Sequence, residues 1–191
     1  MDFIIIGGSP GNGKTTIATH LHKRLHSPWF EFGWIPEFNN LNPHTKISMS
    51  KEELISFENL VMVCKNYKRH GFKNIILTDL VDKRMMDIPI VFNNNTFVII
   101  SLYSENNSVI KHRILNRDNG NQYKDYEASI ATNEIVKNRA LLPNEYRIRT
   151  DNQTPDEITD KVISVISTHV HNNCYDISKY SSDDYVTYIN E

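Results

Sequence analysis

The stretch that decides the fold is "GGSPGNGKTT", residues 7–16. Four apolar residues, "FIII" at 3–6, come directly before it, as expected of a parallel strand buried on both faces. After it, Ile17, Leu21 and Leu25 recur at helical spacing. The sequence therefore predicts a strand, a glycine-rich turn and a helix in immediate succession.

The turn fits the pattern G-x-x-x-x-G-K-[ST] through Gly8, Gly13, Lys14 and Thr15. Its glycines allow a tight turn that points backbone N–H groups at phosphate oxygens, next to a helix N-terminus that favours anions. Lys14 is expected to reach the β- and γ-phosphates of a nucleotide, and the Thr15 hydroxyl to bind Mg²⁺. The residues predicted to hold the phosphates are Gly8, Pro10, Gly11, Asn12, Gly13, Lys14, Thr15 and Thr16.

The composition predicts one soluble domain. The chain has 191 residues, of which 39% are hydrophobic and 23% charged, and its formal net charge of -2 argues against a broad basic surface for nucleic acid. The apolar run at 3–6 is too short for a signal-peptide core or a membrane span, so no membrane partner is expected. Cys64 and Cys174 lie far apart without CxxC spacing, which favours a reducing cytoplasm.

Apolar runs and helical patterns alternate along the rest of the chain, which indicates an α/β protein with a parallel sheet covered by helices. The predicted later strands are "PWFEF", "NIILTDL", "TFVIISLY" and "EYRIRT", and the predicted later helices span 51–70, 106–117, 127–142 and 155–168. Thr154 and Glu157 are spaced for a capping box at the last helix. Residues 1–170 are expected to form the domain, and 171–191 a polar C-terminal tail.

Asp79 follows the apolar run "IILT" and is expected to act on Mg²⁺, through water. ATP-hydrolysing machines commonly place a water-activating glutamate directly after such an aspartate. Leu80 stands there, which disfavours a motor and favours transfer to an acceptor. The absence of N-K-x-D likewise disfavours a GTPase switch.

Arg113 and Arg117 are four residues apart and share one face of a predicted helix. Arginine stabilises the charge on a transferring γ-phosphate, and its flat guanidinium can stack on a base. The alternative is a solvated helix face on which these arginines pair with Glu105 or Asp118.

With these motifs, residues from about 2 to 168 resemble the small P-loop kinases of nucleoside monophosphate kinase type, including shikimate kinase and chloramphenicol phosphotransferase. The resemblance implies a P-loop NTPase fold with three α/β/α layers, a five-stranded sheet of order 2-3-1-4-5 and a short lid at about 112–126. It implies that Arg113 stacks on adenine and Arg117 contacts the transferred phosphate, with Arg139 a weaker phosphate candidate. It also implies that the turn at 150–154, which contains Asn152, borders the adenine.

The segment "SPWFEFGWIPEFNNL" at 27–41 resembles the PWxxFG stretch of chloramphenicol phosphotransferase, but Ile35 occupies the position of that family's catalytic aspartate. The two acids left as candidates to deprotonate an acceptor hydroxyl are Glu37 and Asp82. Trp34 and Phe38 are the predicted pocket residues. Phe30 and Phe32 of the same stretch are predicted to fill the core.

The sequence thus favours an ATP-dependent phosphotransferase that moves the γ-phosphate of Mg-ATP to a small molecule. The alternative is a nucleotide-binding regulatory protein with little or no turnover. The acceptor stays open among nucleosides, nucleotides, antibiotics, sugars and shikimate-like acids. ATP or GTP as donor, and a monomer or a homodimer, also stay open.

Overall fold

The computed structural model describes residues 1–35, 47–117 and 123–190. Its strands in these ranges form one all-parallel sheet in the order β2-β3-β1-β4-β5, which confirms the predicted order. The strands are β1 (Phe3–Gly8), β2 (Trp29–Glu31), β3 (Ile75–Thr78), β4 (Phe97–Tyr103) and β5 (Glu145–Arg149).

Helices cover both faces of the sheet, so the three-layer α/β/α arrangement is also confirmed. The helices are α1 (Lys14–Leu25), α2 (Met49–Arg69), α3 (Asp82–Met85), α4 (Ile88–Val91), α5 (Asn107–Leu115), α6 (Tyr126–Asn138), α7 (Pro155–Thr168) and α8 (Tyr185–Tyr188). Successive residues of β1 point to opposite faces, so Phe3 and Ile5 pack on the α2 side while Ile4 and Ile6 pack on the side of α1 and α7. This explains why the strand is apolar throughout.

The register brings the carboxyl ends of the central strands to one edge of the sheet. Thr78, the last residue of β3, pairs with Ile6 of β1 and with Glu31, the last residue of β2. Gly8 of β1 pairs with Leu102 near the end of β4. The glycine-rich turn after β1 therefore lies beside the ends of β2, β3 and β4, where ligands bind in open α/β sheets.

Two helix predictions have different outcomes. The helix predicted over 127–142 ends at Asn138, because the backbone turns extended at Arg139 (φ −60°, ψ 160°) and the arginine side chain enters the interior. The capping box of α7 is confirmed. Glu157 N–H donates to Thr154 Oγ1 at 3.2 Å, and Thr154 N–H donates to Glu157 Oε2 at 2.7 Å.

Residues 171–190, predicted as a polar tail, fold back on the α2 side of the sheet. Four tyrosines of this segment pack against that core: Tyr175, Tyr180, Tyr185 and Tyr188. The Tyr175 hydroxyl donates to the Pro89 carbonyl at 3.0 Å, and the Tyr188 hydroxyl to the Ala140 carbonyl at 3.0 Å. The segment therefore packs on the domain. No helix in the described ranges combines the length and the apolar character that a membrane span requires.

Candidate active site

The backbone of the glycine-rich turn has the shape that its sequence predicts. Gly8 has φ +126°, and a Cβ at this position would lie 2.4 Å from the carbonyl oxygen of Leu102, so only glycine fits. Gly13, at φ +85°, forms the N-cap of α1. The first helical bond runs from Ile17 N–H to the Gly13 carbonyl at 3.0 Å. The N–H groups of 14–16 precede that bond and form the anion-binding end of the helix.

Lys14 lies at the centre of a cluster of charged side chains. Its side chain is 10% exposed, and its Nζ lies 3.8 Å from Asp79 Oδ1. Burial lowers the pKa of Lys14, whereas the carboxylates of Asp79 and Glu31 oppose this shift and the guanidinium of Arg117 adds to it. The sheet edge thus gathers two cations and two carboxylates from α1, the ends of β2 and β3, and the residues after α5.

Asp79 is held in a left-handed backbone conformation, with φ +70°. Such a conformation is uncommon for a residue other than glycine and recurs at functional sites, where the surrounding fold maintains it. Its carboxylate is half-exposed and faces Lys14. A carboxylate and a threonine hydroxyl are oxygen donors of the kind that Mg²⁺ prefers, so Asp79 and Thr15 suit the metal predicted for them.

Arg113 connects the glycine-rich turn to the turn after β5. Its Nη1 donates to Thr150 Oγ1 at 3.1 Å and to the Gly11 carbonyl at 3.4 Å, while Nη2 donates to the Thr150 carbonyl at 3.0 Å. Asn152 lies exposed in the same turn with φ +53°. Arg113 therefore stands between the two segments predicted to border a nucleotide.

The turn after β5 is fixed by Asp151, which is 3% exposed. Its Oδ2 accepts from the N–H of Glu105 at 2.7 Å and from Arg149 Nε at 2.9 Å. Burial by itself would raise the pKa of Asp151, but hydrogen bonds from Ser104, Glu105 and Arg149 lower it below its ordinary value. The sequence analysis missed this residue, although an acid directly after a strand end is the same signal that identified Asp79.

Arg117 lies just beyond α5 and near Lys14. Its Nη2 donates to the Tyr123 carbonyl at 2.6 Å, and its Cζ lies 5.4 Å from the centre of the Tyr123 ring. Within the described residues, its buried Nε has no hydrogen-bond partner. Residues 118–122 of the predicted lid lie outside the described residues.

The Asn12 side chain has a structural position. It is 1% exposed, and its Nδ2 donates to Ser9 Oγ at 2.9 Å and to Asn133 Oδ1 of α6 at 3.0 Å. Asn133 Oδ1 also accepts from the N–H of Ser104 at 2.9 Å. The Asn12 side chain therefore ties the glycine-rich turn to α6 and, through Asn133, to the residue after β4, while its backbone N–H donates to the Ser9 carbonyl at 3.3 Å within the turn.

Asp82 and Arg139 are engaged with each other. Arg139 donates to Asp82 at 2.9 and 3.0 Å, to Glu145 at 2.8 Å twice, and to the Ala140 carbonyl at 2.9 Å. These bonds use all five N–H donors of the guanidinium. Arg139 therefore has no donor left for a phosphate, which corrects its prediction.

The carboxylate of Asp82 is likewise occupied by hydrogen bonds, which counts against the prediction that Asp82 is a base. Its side chain is 6% exposed, and Oδ2 also accepts from the Tyr185 hydroxyl at 3.0 Å. A carboxylate with both oxygens occupied by a guanidinium and a phenol is poorly placed to accept a proton from an acceptor. Glu37, the other predicted base, and Phe38 lie outside the described residues.

Glu31 is a second acid that the sequence analysis missed. It ends β2 directly beside Thr78, and its charge acts on Lys14. It is half-buried at the same edge as Asp79. Comparison with "PWxxFG" directed attention to Ile35 and Glu37, further along the chain. The sequence signal that identifies Glu31 is a single acid at the end of a short aromatic strand. Because the carboxyl ends of parallel strands share one edge of the sheet, such an acid is expected beside the glycine-rich turn.

The aromatic residues around Glu31 differ in burial, and the core position predicted for Phe30 and Phe32 is confirmed. Phe30 and Phe32 pack against the core, and Phe30 meets Tyr67 edge-on with ring centres 4.9 Å apart. Trp34 is 55% exposed, and its ring centre lies 5.1 Å from that of Trp29. Trp34 therefore presents an open aromatic surface close to Glu31.

No family model matches the chain, and no curated protein matches its sequence. Solved structures do match its fold. A sugar kinase from Janibacter sp. HTCC2649 has a TM-score of 0.62 at 18% identity, with 86% of this chain and 94% of that chain covered. A gluconokinase from Sinorhizobium meliloti 1021 has a TM-score of 0.62 at 11% identity, with 86% and 90% covered.

A deoxyadenosine kinase from M. mycoides has a TM-score of 0.58 at 18% identity, with 87% of this chain and 100% of that chain covered. Shikimate kinase from Bacteroides thetaiotaomicron has a TM-score of 0.59 at 14% identity, with 86% and 98% covered. These structural neighbours are small-molecule kinases with a P-loop. The chain therefore has the fold of the small P-loop kinases that its motifs resemble.

Proposed function

We propose that this protein is an ATP-dependent phosphotransferase that transfers the γ-phosphate of Mg-ATP to a small molecule. The observation that carries the proposal is the convergence of Lys14, Asp79, Glu31 and Arg117 at the end of the glycine-rich turn. A binding protein needs cations for the phosphates and an acid for the metal. A second acid beside them is not required for binding, but it can act as the general base when an acceptor hydroxyl must lose its proton.

Each residue then has a role that its position supports. The N–H groups of 14–16 and the Lys14 ammonium bind the phosphates, and Arg117 stabilises the charge on the migrating group. Arg113 holds the nucleotide between the glycine-rich turn and the turn of Asn152. Thr15 and Asp79 would hold Mg²⁺, which when bound neutralises charge on the β- and γ-phosphates.

We assign the role of base to Glu31 in preference to Glu37 and Asp82. The acceptor oxygen forms a bond to the γ-phosphorus while the bond from that phosphorus to the bridging oxygen of ADP breaks. The acceptor proton passes to the Glu31 carboxylate. Positioning of the two reactants supplies most of the remaining acceleration.

The acceptor is proposed to be a small hydroxyl compound with a flat or apolar part. Trp34 offers an exposed aromatic surface near Glu31 that such a part would cover. The solved structures with this fold include kinases named for a sugar, gluconate, shikimate and deoxyadenosine, so these chemical classes form the first set of acceptors to try.

The test is incubation with Mg²⁺ and γ-labelled ATP, with a pool of nucleosides, nucleotides, sugars, shikimate-like acids and hydroxylated antibiotics. We expect label in a new small molecule with the wild type, and none with Lys14→Ala or Glu31→Gln. Arg24→Gln, a change of a surface arginine on α1 paired with Asp160, serves as the control and retains activity. Tight ATP binding without labelling of the pool or of a cell metabolite extract would contradict the proposal and favour a regulatory protein.

A further inference from the structure

Three residues near the carboxyl ends of β2 and β3 share one face of the sheet: Trp29, Glu31 and Thr78. Glu31 and Thr78 stand opposite each other in the parallel register of β2 and β3. Trp29 lies two residues before Glu31, so its side chain points to the same face. Thr78 is fully buried.

Hydrogen bonds connect the three side chains in series. Trp29 Nε1 donates to Thr78 Oγ1 at 3.3 Å, and Thr78 Oγ1 donates to Glu31 Oε1 at 3.4 Å. An indole N–H can only donate, and an ionised carboxylate can only accept. The direction of the chain is therefore fixed, because the Thr78 hydroxyl accepts one hydrogen bond from Trp29 and donates its own to Glu31.

Glu31 needs such an anchor because it lies within the field of Lys14. The ammonium attracts the carboxylate, and a glutamate with three side-chain torsions could turn toward it and away from the acceptor. The bond from Thr78 holds Oε1. In the described part of the chain no other hydrogen bond reaches Glu31, so Oε2 is left to take a proton.

We propose that Thr78, oriented by Trp29, is a positioning residue that holds Glu31 in place to deprotonate the acceptor. The proposal rests on the function proposed above, in which Glu31 is the base. Consecutive residues at the end of β3 then divide two tasks between them. Thr78 orients the base, and Asp79 holds the metal.

The variants that test this are Thr78→Val, which keeps the shape of the side chain but removes its hydroxyl, and Thr78→Ser, which keeps the hydroxyl. Thr159→Val is the matched control. It removes an equally buried threonine hydroxyl, which donates to the Pro155 carbonyl at 2.7 Å within α7. Glu31→Gln is the reference for loss of the base.

Turnover is measured with γ-labelled ATP and the pool component that the wild type labels fastest. We expect Thr78→Val to lower kcat about tenfold, the effect of one hydrogen bond to a charged group, with the Kd for Mg-ATP unchanged. Thr78→Ser is expected to restore most of kcat, and Thr159→Val to behave as the wild type.

The hydrogen bonds from Trp29 to Glu31 have a readout of their own in the NMR signal of the Trp29 indole N–H. The protein has two tryptophans, so Trp34→Phe is used to assign this signal. We expect this signal to shift and to exchange faster in Thr78→Val, but not in Thr78→Ser. Normal kcat in Thr78→Val beside a defective Glu31→Gln would overturn the role of Thr78 alone. Normal kcat in Glu31→Gln, or an inactive wild type, would overturn the assignment of the base or the function itself.

Discussion

Lys14 Nζ and Asp79 Oδ1 lie 3.8 Å apart, which joins the cation of the glycine-rich turn to the acid that follows β3. The pair is asymmetric, because the lysine side chain is 10% exposed and the aspartate side chain 52%. Burial lowers the pKa of Lys14 and the nearby carboxylates oppose that shift, whereas the half-exposed carboxylate of Asp79 is open to a metal ion. A change at Asp79 is therefore expected to alter the binding of the metal ion.

We expect Asp79→Asn to raise the Mg²⁺ concentration for half-maximal phosphotransfer by about tenfold, since a neutral amide replaces a charged metal ligand. A Mg²⁺ titration of initial rates measures the effect. Asp156→Asn, which removes an exposed carboxylate at the start of α7, is the control and should leave the titration unchanged. An unchanged titration in Asp79→Asn would show that this acid does not hold the metal.

Arg113→Gln should weaken nucleotide binding more than it slows transfer. The guanidinium bridges Gly11 and Thr150, so its loss frees the two segments proposed to border the nucleotide. We expect the Kd for ATP to rise about tenfold, which corresponds to the loss of about one hydrogen bond to a charged group. Equilibrium titration with a fluorescent ATP analogue measures it. A lower kcat with an unchanged Kd would instead place Arg113 at the transferring phosphate.

The fold could be predicted because its determinants are local in the sequence. The run at 3–6, the glycines at Gly8 and Gly13, and the helical spacing from Ile17 each specify one part of a strand, turn and helix unit. The strand ends then follow from parallel pairing, which brings Asp79, directly after β3, close to Lys14.

The parts of the site that were missed depend on partners distant in sequence. Glu31 becomes a candidate base only when β2 pairs with β3, and residue spacing alone does not reveal that neighbour. Arg139 was predicted on a helix with its guanidinium available for a phosphate. Its N–H donors are instead used by Glu145 and by Asp82, which lies 57 residues earlier in the sequence. Residue spacing identifies which residues share one face of a helix, but it does not identify the residues of other elements that contact this face.

Arg139→Met should destabilise the fold strongly. The ion pairs of Arg139 with Asp82 and Glu145 are nearly inaccessible to solvent, with Glu145 0% exposed. Removal of the cation leaves two buried carboxylates uncompensated, which costs about 3–5 kcal/mol of unfolding free energy. Urea denaturation measures the change. Arg24→Met, at an exposed arginine paired with Asp160, should have little effect, and an equally small effect in Arg139→Met would contradict the buried pairing.

The stability of the fold should fall as the pH drops below about 7, in part through His169. This residue follows α7, and its Nδ1 lies 3.0 Å from the Tyr146 hydroxyl. Burial lowers the pKa of His169, and the charge of His171 lowers it further. In the unfolded chain His169 takes up a proton near its ordinary pKa of about 6.5, whereas in the folded protein it does so only at lower pH. Acid therefore favours unfolding.

We expect the unfolding free energy to decrease from pH 7.5 toward pH 5.5 less steeply in His169→Gln than in the wild type. Urea denaturation across this range measures the slope. His112→Gln, a change of an exposed histidine on α5, serves as the control for the loss of a histidine. Because a depressed pKa means that the folded state binds fewer protons, a wild-type slope in His169→Gln would show that the acid sensitivity arises at other residues.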